Sequence, residues 1–335
     1  MRTLLPVLPI VVAAAVVPSQ RPAIPQHDRV RIAEAFRLAR RIGDQVWPRW
    51  SAAPFALLLV TDSLEFLVRH PNPSDDFRPL GYDSLLESDV FVRRRVFAPG
   101  LLATFPAVGA VPTIVIGEPN NTGKPGTEWV LTVLHEHLHQ LQYSRPGYYA
   151  GVDSLRLSRG DQTGMWMLNY PFPYDSAPVR ARFGALARVL ARAVTALQGG
   201  QQVPAATLAA YEAARAALEA ALSPDDYRYL SFQLWQEGVA RYVEYRAAVI
   251  AAREYTPTPA FRELPDDADF AGVAELLRRN LLRELENVDL ATDRRAAFYP
   301  MGAATALLLD AAAPQWKARY FTRMFTLDSL FGRRP

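Results

Sequence analysis

The chain has 335 residues, half of them apolar, and a net charge of +3 carried by 35 Arg and 2 Lys. The basic residues interleave with Asp and Glu, with short runs only at Arg93–Arg95, Arg278–Arg279 and Arg294–Arg295, so nucleic acid is excluded as a partner. Cysteine is absent, which removes disulfides, thiolate ligands and thiol catalysis; any metal must be held by His and carboxylate, and three of the five histidines fall within 135–139.

Met1-Arg2 precedes an apolar run from Leu4 to Val17 that is broken by Pro6 and Pro9. A membrane span needs about 20 apolar residues. The run is too short and reads as a secretory signal over 1–19, with cleavage after Ala15 or Ser19; an uncleaved anchor is the alternative. Residues 20–27 are expected to be a flexible lead-in. No later stretch is long enough to span, so the mature chain is expected to be exported, periplasmic or extracellular, without stable membrane insertion.

Asp28–Gln45 shows a helical period. Phe55–Val60 and Leu64–Arg69 read as two strands around Thr61-Asp62-Ser63, and Val90–Phe97 with Leu101–Phe105 reads as a hairpin around Ala98-Pro99-Gly100. Thr113–Gly117 is a short β-branched strand. After the polar loop Asn120–Gly126, Thr127 is the expected N-cap of a helix from Glu128 to about Tyr143. Gly147–Asp175 is irregular and aromatic. Helices follow over Val179–Leu197, Ala205–Leu222, Asp225–Arg253, Phe270–Glu286, and from Arg294 to near the end, broken around Pro314. The layout is α+β: a mostly antiparallel N-terminal sheet, then a helical half. It forms one unit over 28–335, with a sheet part to 126 and a helical part from 127.

The helix at 128–143 carries His135-Glu136-His137-Leu138-His139, which satisfies His-Glu-x-x-His. Residues four apart share a helix face, so His135 and His139 can bind one Zn²⁺, each nitrogen roughly 2.0–2.1 Å from the ion. Such an ion lowers the pKa of a water to ~7, and Glu136, one step round the helix, is placed to take its proton. His137 points away from the pair and is a packing residue or a support for it. A third ligand is required, and no histidine follows position 139, so it must be a carboxylate. Glu237, followed by Gly238 and Ala240, is the first candidate, because small residues there allow a close helix approach. Glu244, seven residues on, is the second, or an acceptor for a ligand Nδ1–H.

His-Glu-x-x-His followed at distance by Glu-Gly-x-Ala resembles the gluzincin metallopeptidases, which include thermolysin-like proteases and membrane-alanyl-type aminopeptidases. The resemblance implies a zincin-like catalytic domain with an active-site helix beneath a sheet edge that binds extended peptide. It implies His135, His139 and Glu237 as ligands, Glu136 as general base, and Thr113–Gly117, with Ile114, Val115 and Ile116, as the peptide-binding strand. Phe298-Tyr299-Pro300-Met301-Gly302 resembles the Tyr-x-x-Gly segment of the aminopeptidase branch, which implies Tyr299 as an oxyanion donor. The aminopeptidase Gly-x-Met-Glu-Asn loop has no counterpart; Gly117-Glu118-Pro119-Asn120-Asn121 is the nearest text, so exopeptidase action does not follow. The gap from His139 to Glu237 is also longer than in those branches. Within it Trp166, Tyr170, Phe172 and Tyr174 form either an aromatic lid or a satellite core. The expected activity is an exported zinc hydrolase acting on peptides or proteins. The alternatives are a non-catalytic zinc-binding protein and a hydrolase of a non-peptide bond.

Overall fold

A computed structural model describes residues 21–266 and 269–331; the expected signal segment lies outside the described residues. Helix α1 (Gln26–Val46) opens within the expected lead-in and buries Ile32, Ala35, Phe36, Ala39, Ile42 and Val46 at helical spacing. Six strands follow: β1 (Leu57–Val60), β2 (Leu64–Val68), β3 (Arg78–Asp83), β4 (Ser88–Arg94), β5 (Leu102–Val108) and β6 (Val111–Gly117). They form one sheet in the order β3-β4-β2-β1-β6-β5, antiparallel except for the β1–β6 pair. The α+β class and the mostly antiparallel sheet are as expected. Leu57, Leu59, Phe66, Val68, Ile114 and Ile116 face the helical core, while Leu58, Val60, Leu67 and Val115 cover a smaller cluster on the opposite face. Central strands buried on both sides read as continuous apolar runs.

Two expectations about the sheet are corrected. Segments 90–97 and 101–105 do not form a hairpin: β4 pairs with β2 and β3, whereas β5 lies at the far edge against β6. The end of β4 is held over β2 by the buried Glu65, whose carboxylate accepts from Arg93 Nε at 2.7 Å and from the main-chain N–H of Val96 and Phe97 at 2.7 and 2.6 Å. The true hairpin is β5–β6, closed by Gly109-Ala110, both at positive φ (53° and 59°), the two-residue turn that matches sheet twist. The second correction concerns Ile114, Val115 and Ile116. They lie in β6 between β1 and β5 and are fully buried, so β6 has no free edge to offer a peptide. The free edge beside the histidine helix belongs to β5. Strand β3 escaped the sequence reading because it is polar and largely exposed.

The helical half begins with α2 (Gly126–Tyr143), one residue before the expected cap, with Thr127 in its first turn. Trp129 Nε1 donates to the Gly117 carbonyl at 2.8 Å, and Gln140 Nε2 donates to the carbonyls of Ala56 and Pro112 at 2.8 and 2.9 Å. These bonds fix α2 to both ends of β6. Helices α3 (Ala177–Gln198), α4 (Ala205–Glu219) and α5 (Pro224–Gln233) follow. The expected single helix 225–253 is one rod interrupted by a π-helical turn, Leu234–Gly238, that runs into α6 (Val239–Glu254). Helices α7 (Phe270–Glu286) and α8 (Phe298–Ala312) complete the layer, and α2 packs against β5, β6, α1 and α6. No described helix is long and apolar enough to cross a membrane.

Helix α8 crosses the π turn where Gly302 meets Gly238. A Cβ on Gly302 would lie 2.5 Å from the Gly238 Cα and 2.6 Å from the Leu234 carbonyl oxygen, and backbone cannot swing aside as a side chain can. Gly302→Ala is therefore expected to destabilise the fold by about 1–3 kcal/mol in denaturant melts, and an unchanged midpoint would show that the crossing is loose. Elsewhere, the Asp28 carboxyl of α1 hydrogen-bonds that of Glu118 after β6. Burial, then the neighbouring Asp28, raises Glu118 to about 7. A raised folded-state pKa means the native state holds a proton that the unfolded chain has released, so stability falls as pH rises from about 4.5 through 7. Glu118→Gln is expected to flatten that decline, read as the difference between parent and variant melts at pH 5 and pH 8.

Candidate metal centre

The side chains of His135 and His139 leave α2 on one face, and each has its Nδ1 engaged. Nδ1 of His135 lies 3.4 Å from Glu244 Oε2, and Nδ1 of His139 lies 2.7 Å from Gln142 Oε1. Their Nε2 atoms therefore turn inward, to 3.7 and 3.4 Å from a single oxygen, Glu237 Oε2. One ligand atom from each of His135, His139 and Glu237 lies within 4.8 Å of the others. Ligands at about 2.05 Å on a tetrahedral ion sit roughly 3.4 Å apart, so the observed spacings fit a zinc-sized cation. The donor set fits too: two imidazoles engaged from behind at Nδ1, and one carboxylate.

Glu237 is thus the residue that converges, and Glu244 is the acceptor behind His135. Glu244 is itself held by Arg241 Nη1 at 3.0 Å, and Glu237 Oε1 lies 3.3 Å from Arg295 Nη1. Burial disfavours charge on His135, but Glu237, Glu244 and Glu136 outweigh it and raise its pKa to about 9. His139 is raised against burial chiefly by Glu237. Glu237 is partly buried, which disfavours its charge, yet His139, His135 and Arg295 hold its carboxyl well below the usual range. The site favours positive charge, as a cation site should.

Glu136 lies on the cleft side of α2. Its Oε2 accepts from Thr104 Oγ1 of β5 at 2.8 Å, and the same hydroxyl bonds the Glu136 carbonyl at 3.0 Å. One carboxylate oxygen is thereby fixed and the other is left for chemistry. The Tyr299 ring lies along that of His135, centroids 6.1 Å apart and 14° from parallel. Burial and then the Glu237 carboxylate keep its phenol protonated. Tyr143 stands in the same relation to His139, at 6.2 Å and 23°, and burial, Glu237 and Glu136 hold its proton too. Sequence reasoning missed Tyr143, although it continues the spacing of four from His135 and His139. It also missed Thr104, Gln142 and Arg295; a four-residue step back from Tyr299 signals Arg295, whereas only the sheet topology brings Thr104 in.

His137 faces the other way. Its ring stacks on Phe55 at 3.7 Å, and burial lowers its pKa to about 3 against the opposing pull of the Ala53 and Pro54 main chain. The aromatic segment divides. Trp166 lines a cavity that opens on the site, while Tyr170 stacks on Tyr229 at 4.3 Å and bonds Asp226 at 2.9 Å, within the core. Two cavities flank the centre, of about 910 and 840 Å³, and Glu136 and Tyr299 line both. No protein-family model, curated protein or solved structure matches the chain.

The purified chain is expected to bind one equivalent of Zn²⁺ by elemental analysis, and His139→Ala to abolish that stoichiometric binding. Glu244→Gln is expected to weaken zinc affinity by roughly 10–100-fold, since Glu244 aligns His135 without reaching the ion. Unchanged affinity in competition with a chromophoric chelator would remove that role.

Proposed function

We propose that this chain is an exported zinc-dependent hydrolase, a peptidase of gluzincin-like arrangement. The observation that carries the reading is the convergence of two imidazole Nε2 atoms on Glu237 Oε2 while both Nδ1 atoms are tied from behind. Zn²⁺ bound there supplies a Lewis acid that polarises a carbonyl and acidifies water. Glu136, held through Thr104, accepts the proton of the attacking water and passes it to the leaving amine. Tyr299 and Tyr143, both protonated phenols, donate to the oxyanion that develops as the carbonyl is attacked. The open edge of β5 holds the peptide main chain beside them by strand addition. The apolar leader fits delivery out of the cytoplasm, which N-terminal sequencing of the secreted chain tests.

Cleavage of a mixed peptide library by the zinc-loaded chain tests the reading. Glu136→Gln is expected to lower kcat by roughly 10²–10⁴-fold with zinc retained, and chelator to abolish turnover in the parent. Tyr299→Phe is expected to lower kcat by roughly 10²–10³-fold with little change in KM. Cleavage that survives both Glu136→Gln and chelator would overturn the mechanism, and zinc bound without turnover would make this a binding protein.

A further inference from the structure

The two cavities on either side of the centre differ in the side chains that line them, and β5 runs along the second and reaches the first only at Leu102. Leu102, near the start of the strand, lines both, and the walls of the first carry Lys124, Arg241, Arg283, Glu284 and Asp293. Phe105 and Pro106, further along, line the second, with Tyr143, Tyr149, Met165, Trp166 and Leu168. Six large apolar side chains are exposed among the described residues, and three of them, Tyr149, Met165 and Leu168 (51, 48 and 47% exposed), line this second cavity. Apolar surface gathered at the mouth of a cleft marks a binding wall. The wall is held in place: Asp161 accepts from the main-chain N–H of Thr163 at 2.7 Å and of Trp166 at 2.6 Å, which fixes the turn that presents Met165.

The phase of the ladder shows where a peptide would lie. The Gly117 N–H donates to the Leu101 carbonyl at 2.9 Å, so alternate residues 101, 103 and 105 face β6, and Leu102 and Thr104 turn their main-chain groups outward beside Glu136. Antiparallel addition gives the stronger ladder. A peptide added in that sense enters over Phe105 and leaves past Leu102. Its residues on the acyl side of the scissile bond then meet the apolar cavity, and those on the amine side meet the charged one.

Resting on the peptidase reading above, we infer that the enzyme selects extended peptides with a large apolar or aromatic side chain on the acyl side of the cleaved bond. The amine side takes polar residues. The test uses internally quenched peptides identical except at one position on either side of a single cleavable bond, with cut sites read by mass spectrometry. Phe or Leu on the acyl side is expected to raise kcat/KM about 10–200-fold over Ala, with no such gain on the amine side. Met165→Asp and Leu168→Asp, at exposed positions, are expected to draw the Phe-to-Ala ratio towards one. Glu136-dependent cleavage with no acyl-side preference, or with the preference on the amine side, would overturn the inference and leave the peptidase reading standing. Absence of cleavage would count against the peptidase reading itself. Fluorescence anisotropy of the same peptides on zinc-loaded Glu136→Gln then decides the inference: tighter binding of the acyl-side Phe peptide supports it, and equal binding overturns it.

Discussion

One oxygen, Glu237 Oε2, faces two imidazole nitrogens in a site closed to most of the solvent, and the surrounding fold is arranged to hold it there. A buried carboxylate costs several kcal/mol unless positive charge answers it. Arg295 answers Oε1 from one side, and the imidazoles or a cation answer Oε2 from the other. The contact between Gly238 and Gly302 lets α8 cross the rod one residue after Glu237 and sets Tyr299 one turn earlier on the same helix. The π turn belongs to the same device. One residue added to a turn rotates the next stretch of helix by about 100°. The α5 face that carries Tyr229 and Gln233 can thus bond the Met167 carbonyl, at 2.8 and 2.7 Å, while the α6 face presents Glu244 to His135.

What the sequence made legible was the local part. His135, Glu136 and His139 follow from a spacing of four on one helix, and helix geometry alone placed His137 on the opposite side, where it stacks on Phe55. Glu237 was readable because its neighbour is glycine, although the partner of that glycine, Gly302, was not. The choice between Glu237 and Glu244 needed coordinates: both lie close to His135, and only the ring nitrogen each one faces separates ligand from support. The edge strand was misplaced for a reason of topology. Thr113–Gly117 is strongly β-branched because it is buried on both sides, so the property that made it conspicuous also disqualified it as an edge. Strand β5, which is open, contains Pro106 and reads as weaker, as an edge strand should.

The walls of the cleft come from different parts of the chain than the His135, His139 and Glu237 cluster does. The histidines lie on α2 and Glu237 on the π turn. The apolar wall is built mainly by the segment between α2 and α3 with β5, and the charged wall by Lys124, Arg241 of α6, the end of α7 and the residues before α8. Much of the apolar wall comes from the stretch between His139 and Glu237: it is anchored to α5 through Tyr170 and Asp226 and through the Met167 carbonyl, Phe172 and Tyr174 pack into the core on Phe298, and Tyr149, Met165, Trp166 and Leu168 line the cleft. Arg295 is the point where walls and centre meet, since its guanidinium lies beside Glu237, over the Tyr299 ring, and on the lining of both cavities. A molecule occupying either cavity therefore meets the group that answers Glu237 Oε1.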